Sequence, residues 1–288
     1  MNGWTRAETP AEFFDRCHDF LMASEAEHNL ILGLGPGLIS GDHPFEEPIY
    51  LAWYEEDGAV AGYAFRTPPF KVGVSALPEQ AVQELADALG RVYDAIPAVL
   101  GPEQSAQALA DAWTARHGGR TVPGMRLRIH ALHEVRDDLP TAAGRMRSAT
   151  DNDRGRIAAW LARFAAETGI PDADPETQAR TMIDQDRLRV WEADGVVSMA
   201  ARAGMTATSV RVGYVYTPPD ERGRGYATAL VADLTREVLE SGRRSAFLYT
   251  DLANPTSNAI YARIGYVPVC DVVDVEIRTA SGSDRSPA

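Results

Sequence analysis

The chain has 288 residues, 45% hydrophobic and 24% charged, an ordinary globular composition with room for one large or two medium domains. Its formal net charge of −13 argues against nucleic acid as a partner, since phosphate contacts need a basic face, and is compatible with a cationic substrate such as an amine. No apolar run reaches bilayer length, no leader-like pattern opens the chain, and two cysteines make neither a disulfide framework nor a metal cluster, so a cytoplasmic enzyme that meets no membrane is expected.

Residues 13–34 repeat apolar positions with helical period, and Gly33-Leu34-Gly35-Pro36-Gly37 reads as the cap and reversal that ends the helix. Two strand-like runs, 48–54 and 59–65, flank Asp57-Gly58 and predict a hairpin. A strand at 71–77 leads to a helix opened by Pro78, with Val82, Leu85, Leu89 and Val92 on one face. A short strand at 98–102, a helix at 103–117 and a strand at 125–133 complete a first half. Alternation puts His130 and His133 on opposite faces of that strand, so they make no metal pair.

The polar, Pro- and Gly-bearing stretch 137–144 reads as a linker. A strand at 145–150 follows, then a helix capped by Asp151 or Asp153 and carrying Ile157, Trp160, Leu161 and Phe164. A helix at 175–184 precedes a hairpin, 188–192 and 196–203, turning at Ala193-Asp194-Gly195. After strand 212–216 and a glycine turn, Ala227, Leu230, Val231, Leu234 and Val238 lie on one helical face. Strand 245–251, helix 255–264 and strand 267–277 close the pattern, and the small polar tail 279–288 reads as disordered. Both halves share one order of elements, so two related α/β domains are expected at 1–140 and 145–278.

The informative stretch is Val212-Gly213-Tyr214-Val215-Tyr216-Thr217-Pro218-Pro219-Asp220-Glu221-Arg222-Gly223-Arg224-Gly225-Tyr226-Ala227. A strand, a glycine-bearing turn and a helix start together make an anion site, because the free amides of a first helical turn converge and the helix dipole adds positive charge. No Gly-Lys-Ser/Thr follows, which excludes a P-loop, and no third glycine completes a dinucleotide fingerprint. The spacing Arg222-x-x-Gly225-x-Ala227 resembles the acyl-CoA pyrophosphate motif of the GNAT acetyltransferase superfamily. Downstream, Asn254-x6-Tyr261-x3-Gly265-Tyr266 resembles that family's second segment.

The resemblance implies an α/β fold of tandem GNAT-type domains, each a mixed, mostly antiparallel sheet flanked by helices. It implies acetyl-CoA as co-substrate and no metal. The main chain of Val215, Tyr216 and Thr217 would meet the pantetheine arm, and Gly223, Gly225, Tyr226, Ala227 and Thr228 the pyrophosphate, with charge from Arg222 and Arg224. Tyr261 would be the general acid, with core packing as the competing role. Asn254 would hydrogen-bond the arm or act as a helix cap, and Asn258 would touch the cofactor. Asp251, Glu192 and Glu167 are the open candidates for the base. The first half carries no arginine/glycine turn at 71–80 and reads as a degenerate copy that binds no acyl-CoA, with an unrelated N-terminal α/β domain as the competing reading. The expected activity is direct transfer to a small-molecule primary amine by a monomer or homodimer. A protein acetyltransferase and a non-catalytic acyl-CoA-binding or regulatory protein stay open.

Overall fold

The computed structural model describes residues 2–41, 45, 47–169 and 174–279. It divides into two compact units, Met1–Arg128 with Asp251–Ala253 and Cys270–Ala288, and Ile129–Thr250 with Asn254–Val269. Both are mixed sheets flanked by helices, as expected.

The first unit contains β1 (Gly3–Arg6), α1 (Pro10–Ala23), α2 (Asn29–Ser40), β2 (Tyr50–Glu56), β3 (Ala59–Arg66), β4 (Val72–Val74), α3 (Glu79–Gly90), β5 (Ala98–Gly101), α4 (Glu103–His117) and most of β6 (Arg120–Leu132). β1 to β4 pair antiparallel in chain order, and β4 pairs parallel with β5. Val82, Leu85, Leu89, Leu109 and Trp113 of α3 and α4 bury against one face, while Phe13, Leu21, Ile31 and Leu38 of α1 and α2 bury against Leu51, Trp53, Tyr63 and Phe65. The predicted helix at 13–34 is two helices, and the Gly33–Gly37 run lies inside α2, which ends at Gly41 in the left-handed region (φ 71°). The glycines there serve packing: a Cβ at Gly35 would sit 3.0 Å from the Phe14 ring.

The second unit repeats the order with β7 (Arg145–Ser148), α5 (Arg154–Thr168), α6 (Pro175–Asp184), β8 (Leu188–Ala193), β9 (Gly195–Met205), β10 (Ser209–Tyr216), α7 (Tyr226–Glu240), β11 (Ser245–Asp251, all but its last residue) and α8 (Pro255–Ile264). β7 to β10 pair antiparallel, and β10 pairs parallel with β11. α5 and α6 bury Ile157, Trp160, Leu161 and Met182 on one face of this sheet. α7 and α8 bury Leu230, Val231, Leu234 and Ile264 with Val210, Val212, Ala246 and Leu248. Thr150 and Asp153 form a capping box ahead of α5, and Asp153 also receives Arg147 at 2.7 Å.

The last strand, β12 (Val267–Arg278), departs from the expected boundaries of 1–140 and 145–278. From Cys270 on it counts with the first unit: Val273 to Glu276 pair antiparallel with β5, and Val273, Val275 and Ile277 join that unit's core. β6 ends the other way, with Ile129–Leu132 in the second unit and Leu132 in its core. Of the tail expected to be disordered, residues 280–288 lie outside the described residues.

Candidate functional site

The second unit's central feature is where β10 leaves β11. Their parallel ladder covers only Ser209–Arg211 against Ser245–Phe247, although β10 continues to Tyr216. Antiparallel pairing with β9 goes on, and its register slips between Gly213↔Ala201 and Tyr216↔Met199, three residues against two. Tyr214 sits in this bulge at φ 52°, an uncommon value for a non-glycine residue. The β10 backbone from Val212 onward thus has no ladder partner toward β11, an edge that an extended ligand can pair with. At its end Ser198 Oγ donates to the Tyr216 carbonyl at 3.1 Å and lies 2.9 Å from Thr217 Oγ1. Val215 and Thr217 are half-buried, and Tyr216 is 3% exposed, packed beside Trp160.

After Pro218 the chain makes a single 3-10 turn, Pro219–Glu221, and enters the glycines, Gly223 at φ 78° and Gly225 at φ 82°. Gly225 is the N-cap of α7, and its carbonyl accepts the first helical bond from Ala229 at 3.0 Å. The amides of Tyr226, Ala227 and Thr228 therefore have no intrahelical partner. The space before them is open, since a Cβ on Gly223 would meet nothing within 4 Å and one on Gly225 only Ala142 at 3.8 Å. Open amides, a helix dipole and two left-handed glycines fit a pyrophosphate. Tyr226 and Thr228 are buried, so what they can offer a ligand is main chain; Ala227 is half-buried.

The two arginines are both engaged. Arg222 Nη2 donates to both carboxylate oxygens of Glu167 at 2.9 and 2.8 Å, and Nε donates to the Thr217 carbonyl at 2.9 Å. Arg224 pairs with Glu221 at 3.0 Å.

On α8, Asn254 does what a helix cap does: its side-chain oxygen accepts from Ser257 N at 3.0 Å. Asn258 accepts from Thr250 Oγ1 at 2.7 Å and donates to the Asn254 carbonyl at 2.8 Å, tying α8 to β11. Tyr261 is only 8% exposed, lies in the core against Leu230 and Ile264, and meets the Tyr266 ring edge-on at 6.0 Å. Burial pushes its phenol well above the ordinary range. The packing role set against the catalytic one is therefore real for Tyr261.

Of the base candidates, Glu192 accepts from Arg147 at 3.0 Å, Glu167 is held by Arg222, and Asp251 belongs to the first unit. Among the described residues no group of His, Cys, Asp or Glu could hold a metal ion, and no helix is long and apolar enough to cross a membrane. The Glu167–Arg222 pair was not legible in the sequence, where 55 residues separate its members.

Residues 194–272, the segment from the start of β9 through the glycine turn into β12, match the FR47-like protein family. No curated protein matches the chain in sequence. Among solved structures, an acetyltransferase of the GNAT family from Colwellia psychrerythraea superposes with a TM-score of 0.60 at 11% identity, covering 96% of this chain and 99% of the other. A GCN5-related N-acetyltransferase from Sphaerobacter thermophilus gives 0.58 at 18% identity, with 96% of each chain covered. A tandem GNAT protein from the clavulanic acid biosynthesis pathway gives 0.55 at 13% identity over 99% of this chain and all (100%) of that one. These likenesses establish the fold.

Proposed function

We propose that this chain, which belongs to the GNAT superfamily by its fold and its FR47-like segment, transfers an acetyl group from acetyl-CoA to a primary amine of a small molecule in a ternary complex. The observation that carries the reading is the parting of β10 from β11 directly ahead of an open, glycine-lined helix start. Bound acetyl-CoA supplies a thioester, an acyl group already activated toward amines. The amides at Gly223 to Thr228 hold the pyrophosphate. The unladdered backbone at Val215 to Thr217 orients the arm, and a main-chain amide there polarises the thioester carbonyl. Fixed geometry accounts for much of the acceleration, since it makes a bimolecular step effectively intramolecular. The Tyr261 hydroxyl would give its proton to the departing sulfur, and the phenolate left behind, which burial disfavours, would take the proton that the attacking amine gives up.

The burial of Tyr261 in the core also favours a second reading, an acyl-CoA-binding protein without turnover. Thiol release from acetyl-CoA across a panel of primary amines separates the two. Amine-dependent release identifies the enzyme; tight binding with no release above background identifies the binder. In the enzyme, Tyr261→Phe lowers turnover by about a hundredfold with unchanged acetyl-CoA affinity and melting temperature. A fall in melting temperature with turnover intact assigns Tyr261 to packing alone.

A further inference from the structure

We infer that Glu167 is a built-in stand-in for the cofactor's phosphate: its carboxylate holds Arg222 beside the cradle, and CoA loads by displacing it. This rests on the acyl-CoA reading above. Arg222 immediately precedes Gly223, the first left-handed residue of the turn, so its side chain is anchored at the rim of the anion site. Its Nε is fixed to the Thr217 carbonyl at the end of β10, while Nη2 carries both Glu167 oxygens. A guanidinium nitrogen that holds carboxylate oxygens by charge-assisted bonds can hold phosphate oxygens in the same way.

Magnitudes decide which anion wins. Arg222 and Glu167 are 49% and 47% exposed, and such a pair is worth at most about 1 kcal/mol. A pyrophosphate brings more negative charge and is held at the same time by helix amides, so it outcompetes a lone carboxylate. The exchange frees a carboxylate on the last turn of α5, the helix that packs Trp160 beside Tyr216. Loading of the cradle is thereby coupled to the helix on the opposite face of the sheet from α7.

Calorimetric titration of CoA into the full chain and three variants tests the exchange. Glu167→Gln removes the competitor and keeps the shape, and CoA binds up to about fivefold tighter, the equivalent of about 1 kcal/mol. Arg222→Gln weakens CoA by about tenfold or more. With Arg222→Gln already present, Glu167→Gln gives no further gain. Equal gains with and without Arg222, or a Glu167→Gln variant that binds no tighter, overturn the exchange and leave the acyl-CoA reading standing. If wild type and all variants fail to bind CoA, both fall together.

Discussion

β4 and β10 occupy the same place in their respective units, and they end in opposite ways. Gly101 of β5 approaches β4 so closely that a Cβ there would lie 2.6 Å from the Val74 carbonyl, and one on Gly73 would overlap the Phe65 ring. The strands stay shut. The chain then runs through Ser75, Ala76 and Leu77 into Pro78, the N-cap of α3, with no left-handed residue, and Ser105 Oγ takes the Leu77 amide at 2.9 Å. In the second unit the ladder stops after Arg211, Tyr214 bulges, and two left-handed glycines precede a helix whose first amides are open. One framework therefore gives a close-packed strand pair in one unit and, in the other, a strand end that has left its parallel partner. The difference lies in a handful of turn residues, not in the order of elements.

The contrast can be broken at several points, most severely through β12. Ending the chain after Val269 removes Val273, Val275 and Ile277 from the first unit's core, each worth about 1.5–3 kcal/mol. That sum matches the whole stability of an ordinary domain. Hydrogen exchange should show protection lost in α3, α4 and β5 while β8, β9 and β10 keep theirs. Next, Gly225→Asp puts a carboxylate at the cradle and a side chain at φ 82°, and should abolish acetyl-CoA binding. Ala76→Asp, at an exposed position two residues ahead of Pro78, the N-cap of α3, should leave both affinity and stoichiometry unchanged.

A third test uses pH. His28 is buried in the first unit, stacked on Phe20 and 3.1 Å from the Tyr63 hydroxyl, and desolvation pulls its pKa from 6.5 down to about 4. Between those values the unfolded chain takes up a proton that the folded one refuses. Stability is therefore full above 6.5 and falls as pH drops toward 4, by about 3 kcal/mol at most. Denaturation of the first unit, followed across that window, should show this slope, and His28→Phe should flatten it. Asn254→Ala gives the smallest effect: loss of a helix cap costs about 1 kcal/mol, read as a lower melting temperature with acetyl-CoA affinity unchanged. A large loss of affinity instead would restore Asn254 as a cofactor contact.

What was legible in the sequence was local. Asp57-Gly58 and Ala193-Asp194-Gly195 marked two hairpins, and Gly223-Arg224-Gly225 marked the turn, because each is a backbone requirement written in adjacent residues. Partner choice was not. Nothing along residues 270–278 says that they pair with Ala98–Gly101 rather than finish the unit they follow, since either sheet accepts an apolar alternating strand. The Gly-Pro run of α2 misled in the same way: those residues end helices when exposed, and here tight packing on Phe14 holds them within one. The pairing of Arg222 with Glu167 and the core position of Tyr261 depend equally on contacts between distant segments.

The most direct measurement is a calorimetric titration of acetyl-CoA that counts sites per chain. One site, lost in Gly225→Asp and kept in Ala76→Asp, is the result expected if only the parted strands of the second unit make a cradle. Two sites would show that the closed β4–β5 pair also opens to a ligand, and no site would leave the molecule with the fold alone.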